Sequence, residues 1–329
     1  MLRRTLFTAT TAAALAAATP AVARPTIGTA DVDRLRRHVD RLVAMDDQDG
    51  GGPAIERLAV QLTAHALDVQ QSSSATQRVR GRLYGLAAEF AAHALWAAVD
   101  AGQLDRAQQH LEKAVTLAGL SGDGQVQHQT WRYAAMLADQ RGHRTDAIAA
   151  AEAAAATAAH RTDPAYASLS AMRLALALTM PGAHDRTRAL RAIDRATTAY
   201  DRADPHRVRP PSMAFYDRGE VSGLTGIALL RMGQPEQAEF HMHRALSSLR
   251  PDQARNRSYY TAQIALAQAD QGEADQAVAT AHRITPPPGS ATTGRVHRLI
   301  GQFTDTLTRT APGARATREW IAHTRTATA

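Results

Sequence analysis

The positions of cysteine, histidine and the acids decide first what chemistry this chain could do. Its 329 residues contain no cysteine, which removes disulfides, thiolate zinc sites, iron–sulfur clusters and cysteine nucleophiles. His241 and His243 stand two apart, so on a helix they point to different faces. No two histidines have the i, i+4 spacing of a shared helical metal site, and no HExxH occurs. Asp46, Asp47, Asp49 and Gly50 have the look of a calcium loop. An EF-hand frame with its glycine at Gly50 needs an acid where Met45 stands, so the match fails. Those acids are expected to end a helix. Walker loops, Gly-x-Gly-x-x-Gly and Gly-x-Ser-x-Gly are all absent from the sequence. We therefore expect no catalytic residue, no metal and no cofactor, and read the chain as non-enzymatic.

Binding chemistry is what remains, and it depends on the elements that carry the polar and aromatic side chains. Helical periodicity runs throughout, with no useful stretch of strand-like alternation. A helix from Asp31 carries Val32, Leu35, Val39, Leu42 and Val43 on one face and stops at Gly50-Gly51-Gly52-Pro53. A second helix is expected over about Ala54 to Val69, followed by a polar separator, Gln70 to Ser74.

From there a pattern recurs. A helix ends in glycine, alanine follows five residues later, and another small residue follows seven further on. It reads Gly102, Ala107, Leu111, Ala114, then Gly142, Ala147, Ala151, Ala154. It returns as Gly233, Ala238, Met242, Ala245 and as Gly272, Ala277, Ala281, Ile284. A copy with a longer loop has Gly182, Ala189, Ile193 and Ala196. Glycine takes the left-handed cap conformation cheaply because it has no Cβ. The alanines mark where two helices of a hairpin cross closely, and the larger residue fills the seam. Such pairs bury their apolar faces only by stacking. The pattern is that of tetratricopeptide (TPR) repeats with a period near 40, so the expected fold is an all-α, right-handed solenoid of antiparallel helix pairs. Residues 1–29 are expected to form an alanine-rich linker or signal-like segment, 30–72 an N-terminal helical pair, 75–311 the array and 312–329 a tail. Pro205, Pro210 and Pro211 mark an extended loop inside the array, and Pro286-Pro287-Pro288-Gly289 introduces a late helix.

In such an array the first helix of each pair lines the concave surface. Counting back from the terminal glycines places Glu89, Trp96, Gln129, Arg132, Asp139, Glu220, Arg231 and Tyr259 in the groove. Their types suit a peptide, a partner helix or a small effector. Phe215-Tyr216 and Tyr259-Tyr260 are weighted toward core, and Trp96 has a second role open to it in the packing seam.

The net charge of +7 does not point to nucleic acid. Arg3, Arg4 and Arg24 lie in the N-terminal segment, which has no acid, and Lys113 is the only lysine. No run of basic residues interleaved with aromatics appears. The segment Met1 to Ala23 has a basic start, an alanine-rich stretch and Ala21-Val22-Ala23, the layout of a secretory or twin-arginine signal. It is too short and weakly apolar to span a membrane. The other reading is a flexible linker.

Arg3-Arg4-Thr5-Leu6-Phe7, the stretch Ala30 to Asp47 with its glycine run, Leu95 to Gly102, Met213 to Gly233 and Arg255 to Gly272 together resemble the sensor region of actinobacterial XRE-family transcriptional regulators. The likeness covers about residues 2 to 308. In that family a short DNA-binding helix-turn-helix precedes a TPR-like region, and none is present in this chain. The resemblance implies a cytoplasmic regulatory or sensor domain that binds a peptide, protein or small effector in its groove. Direct DNA binding is not expected of it without an added helix-turn-helix. Self-association as a homodimer through the solenoid ends is open, and export as a scaffold is the alternative.

Overall fold

The computed structural model describes residues 24–182, 185–250, 253–284 and 294–327. The N-terminal segment Met1 to Ala23 and the Pro286–Gly289 run lie outside them. Among the described residues the chain is all-α, with fifteen α-helices, one 3-10 turn and a single isolated bridge between Thr26 and Ser74. No helix among the described residues is long and apolar enough to cross a membrane.

α1 (Thr29–Asp49) and α2 (Pro53–Ser72) both lean on α3 (Gln77–Asp100). α2 runs three residues past the expected end, because Gln70 still faces inward. The chain straightens only where Ile27 N–H donates to the Ser74 carbonyl (3.0 Å) and Ser74 N–H to the Pro25 carbonyl (2.9 Å). Then come pairs of adjacent helices. α3 packs on α4 (Leu104–Ser121), and α5 (Gly124–Arg141) on α6 (Arg144–Ala155). A short α7 (Ala158–Thr162), which periodicity does not predict, is set off by its own cap, Thr157, and by Asp163-Pro164. α8 (Pro164–Leu178) pairs with α9 (Arg186–Asp201), α10 (Arg218–Arg231) with α11 (Pro235–Ser248), and α12 (Ala254–Asp270) with α13 (Ala274–Ala281). α14 (Arg295–Thr310) packs on α12, and α15 (Arg315–Ala327) closes over α13. Buried Trp320 of α15 meets Phe303 edge-on at 5.1 Å and donates to Thr304.

Local chemistry explains the ends. Asp123, Asp163, Asp185 and Asp217 each accept a backbone N–H in the first turn of α5, α8, α9 and α10, satisfying donors the helix cannot. Gly102, Gly142, Gly182, Gly233 and Gly272 all have φ between 71° and 104°, the left-handed stop expected of them. The alanines of the pattern are at the crossings: Ala107, Ala114, Ala147, Ala154, Ala189, Ala196, Ala238 and Ala277 are wholly buried.

α10 carries three glycines, Gly219, Gly223 and Gly226, that let its neighbours close in. A Cβ on Gly223 would sit 2.4 Å from the Tyr260 ring of α12. Tyr260 is buried and its hydroxyl donates to Glu220 at 2.8 Å. Gly223→Ala should therefore displace that ring and lower stability by about 1–3 kcal/mol, despite alanine's better helix propensity. Urea denaturation checks it, and an unchanged midpoint would mean that α10 and α12 can part freely.

Candidate functional site

The paired helices do not leave an open trough. α1 reaches past α3 to α12 and to the 3-10 turn at Pro211–Met213. The two ends of the chain are tied by charge. Arg255 of α12 donates to Asp46 of α1 at 3.1 Å, Arg295 of α14 pairs with Asp100 of α3, and Arg298 donates to Gln140 of α5. What they enclose is a pocket of about 140 Å³, partly open to solvent. Helices α1, α3, α5, α8, α10, α12 and α14 and the loop around Phe215 all contribute walls.

Six of the eight groove residues expected from the sequence line this pocket: Trp96, Arg132, Asp139, Glu220, Arg231 and Tyr259. Glu89 and Gln129 do not. Glu89 is buried on another face of α3, where Arg36 of α1 donates to both its oxygens (3.2 and 3.3 Å). Gln129 is buried, and its side-chain nitrogen has no partner. Counting from a glycine sets the right helix but not the rotation of each side chain about it.

Trp96 serves both roles open to it. Its ring stacks on Tyr133 at 5.5 Å and 14°, and its indole N–H donates to Asp46 at 3.0 Å. The Arg295 guanidinium lies between Trp96 and Tyr259, 4.5 and 4.7 Å from the ring centres, a cation–π sandwich. Asp46 thus acts as a pocket acceptor for Trp96 and Arg255. Its backbone carbonyl also takes the Gly50 N–H that ends α1. Burial pushes the Asp46 carboxyl up, Arg255 pulls it down, and the net is upward. Asp100 goes the other way. Burial alone would raise it, but Arg295 and Arg255 outweigh burial and hold it below the usual range.

Arg231 makes a two-pronged pair with Asp139 (2.9 Å each) and also donates to the Leu176 carbonyl. Glu220, raised by burial, accepts from Tyr260. Arg132 is only 2% exposed. It lies between the Tyr133 and Phe215 rings (4.4 and 4.7 Å) and donates to the Ser212 carbonyl at 3.3 Å. So Phe215, weighted toward core, is a pocket wall, whereas its neighbour Tyr216 is core and bonds Ser168. Tyr259 faces the pocket, and buried Tyr260 reaches its edge.

Sequence reasoning missed His93, Arg173, Arg255 and Arg295. His93 could have been found as a polar residue one turn before Trp96. Arg255 and Arg295 come from the distant end of the chain, and no local signal announces them. No group of three or more metal-ligating side chains occurs among the described residues. The arrangement is a cationic, aromatic-walled pocket whose acids each already hold a donor.

Comparison with known proteins finds no matching family model, no matching curated protein and no matching solved structure. Among the described residues, fold and site together define a class: an all-helical protein whose paired helices gather round a pocket of mixed polar and apolar lining.

Proposed function

We propose that this chain is a non-enzymatic, TPR-like regulatory module of the transcriptional-regulator sensor type, and that its pocket is the effector site. The observation that carries this reading is the pocket's construction. Seven helices drawn from almost the whole chain converge on it, so an occupant would touch the first helix of every pair, and α14, and could bias their packing as a unit. The in-phase Gly-x4-Ala repeats support the TPR-like solenoid, and the wholly buried alanines at its crossings are what such packing needs. Asp46, Asp139 and Glu220 are committed to Trp96 and Arg255, to Arg231 and to Tyr260. That favours holding a ligand over proton transfer. In this reading the protein is cytoplasmic and acts through a protein partner, which the likeness of Arg3-Arg4-Thr5-Leu6-Phe7 to a regulator's linker supports.

Ala214 is exposed at the pocket's loop wall, so Ala214→Trp should plug the pocket without entering the core. Screening peptides and metabolites by Trp fluorescence and thermal denaturation should yield a ligand. At a hundred times its Kd it should add about 2.7 kcal/mol of stability. Ala214→Trp should weaken it at least about tenfold, roughly 1.4 kcal/mol. A screen that returns nothing, or a ligand that ignores the plug, would sink the reading.

A further inference from the structure

Within the pocket the charges do not cancel locally. Arg231 is taken by Asp139, Arg255 by Asp46 and Arg295 by Asp100. Asp47 pairs outward with Arg250 at 3.8 Å. Two guanidiniums are left. Arg132 has no carboxylate partner, and its Nε is buried without an acceptor. Arg173 of α8 is 9% exposed, lines the pocket and has no hydrogen bond or ion pair among the described residues, its Nε being buried without a partner. Glu220 is the carboxylate that acts on it most strongly, yet the Glu220 Oε2 accepts from Tyr260 instead. Arg132 and Arg173 repel one another, and burial with that repulsion holds Arg173 below the usual guanidinium range. His93 of α3, 4% exposed, also lines the pocket and feels the Arg132 charge, and its buried Nε2 has no partner among the described residues.

A buried, unpaired cation is costly, and so is a buried donor with no acceptor. Here two such cations line one solvent-open pocket, with one unpartnered nitrogen on each of Arg132, Arg173 and His93 and two more on Arg255. An oxyanion answers the first three, since a guanidinium binds carboxylate or phosphate through several N–H groups. Leu176, Leu224 and Ile227 supply an apolar wall beside them. We propose that the pocket binds a small amphipathic organic anion, its oxyanion head held by Arg132, Arg173 and His93 and its apolar body laid on Leu176, Leu224 and Ile227. This rests on the reading of the pocket as an effector site and names that effector's chemical class.

The test is a matched set titrated calorimetrically into the full chain: phenylbutyrate, its neutral amide, phenylbutylamine, phenylbutyl phosphate, and acetate and inorganic phosphate alone. The carboxylate or the phosphate ester should bind at least about tenfold more tightly than the amide, and the amine should not bind. The better of the two heads identifies the oxyanion. Arg173→Met, with helicity unchanged by circular dichroism, should erase the preference for the anion, and Arg173→Lys should keep part of it. The head-group comparison in the unaltered protein stands even if a variant does not fold. Equal binding of amide and anion, no binding of either anionic probe up to about 10 mM, or a preference that survives Arg173→Met would overturn the proposal. Acetate or phosphate binding as well as the full probes would reduce the site to a bare ion site and also overturn it. A neutral or peptide ligand blocked by Ala214→Trp would leave the effector pocket standing while removing this assignment.

Discussion

Asp100→Ala is expected to lower folding stability by about 3–5 kcal/mol, because it strands a buried cation. Asp100 is the point where three parts of the chain meet. Its carboxylate takes the Gly51 N–H at 2.8 Å and the Arg295 side chain of α14. Gly51 can come this close only without a side chain, since a Cβ there would sit 2.5 Å from the Asp100 Cβ and 3.0 Å from the Ala97 backbone. In the variant Arg295 keeps its place between Trp96 and Tyr259 but loses its counter-charge. Asp100→Asn should cost less, since it keeps an acceptor for Gly51. Adding Arg295→Met to Asp100→Asn should recover part of the loss, because the orphaned charge goes with it. Denaturant unfolding of the four proteins measures this. A loss below about 1 kcal/mol for Asp100→Ala would place the pair among surface bridges of little weight and would mean that the chain ends are held together by other contacts.

Acid should attack the fold through two buried histidines. Burial, reinforced by Arg132, pushes His93 down to about 4 and His128 to about 3. His128 sits against Ser170 (2.9 Å) and the Tyr166 carbonyl (3.2 Å) through Nε2. The His128 Nδ1 and the His93 Nε2 are both buried without a hydrogen-bond partner, so the charge of a protonated ring would go uncompensated. Both folded-state values lie below the ordinary 6.5 of the unfolded chain. The unfolded chain therefore binds protons first, and the contribution is present above pH 6.5 and lost as the pH falls toward about 4 and 3. At about pH 4.5 each histidine should have withdrawn about 2–3 kcal/mol, and the two together about 5. Asp46, Glu89 and Glu220, held above the usual carboxylate range by burial, pull the other way as they take up protons. The clean measurement is therefore differential. The stability lost between pH 7.5 and 4.5 should be about 5 kcal/mol smaller in His93→Gln/His128→Gln than in the unaltered protein. Equal losses would show that the rings are protonated in the folded state at little cost.

What periodicity could reach and what it could not follows from the range of the forces involved. Helix stops at Gly102, Gly142, Gly182, Gly233 and Gly272 were legible because a left-handed cap is a property of one residue. The close crossings were legible because Ala107, Ala147, Ala238 and Ala277 recur five residues past those caps, and Ala189 seven. α7 was missed because Thr157 and Asp163-Pro164 are local caps inside an otherwise helical composition. Trp96, Arg132, Asp139, Glu220, Arg231 and Tyr259 came from helix order alone, and all six line the pocket. Glu89, on the same helix as Trp96, turns instead toward Arg36, a rotation that depends on where α1 lies.

By itself, then, the sequence determined the all-helical class, the pairing of helices and which helices face inward, since all three rest on propensity, capping and spacing within some tens of residues. Tertiary structure decided that the array closes on itself. It set Asp46 against Arg255, Asp100 against Arg295 and Gln140 against Arg298. It also decided which cations are left over. Charge balance in the pocket is a sum over side chains up to 209 positions apart. A guanidinium such as Arg173 becomes an anion-seeking group only when every carboxylate near it has found another partner. No pattern along the chain records that.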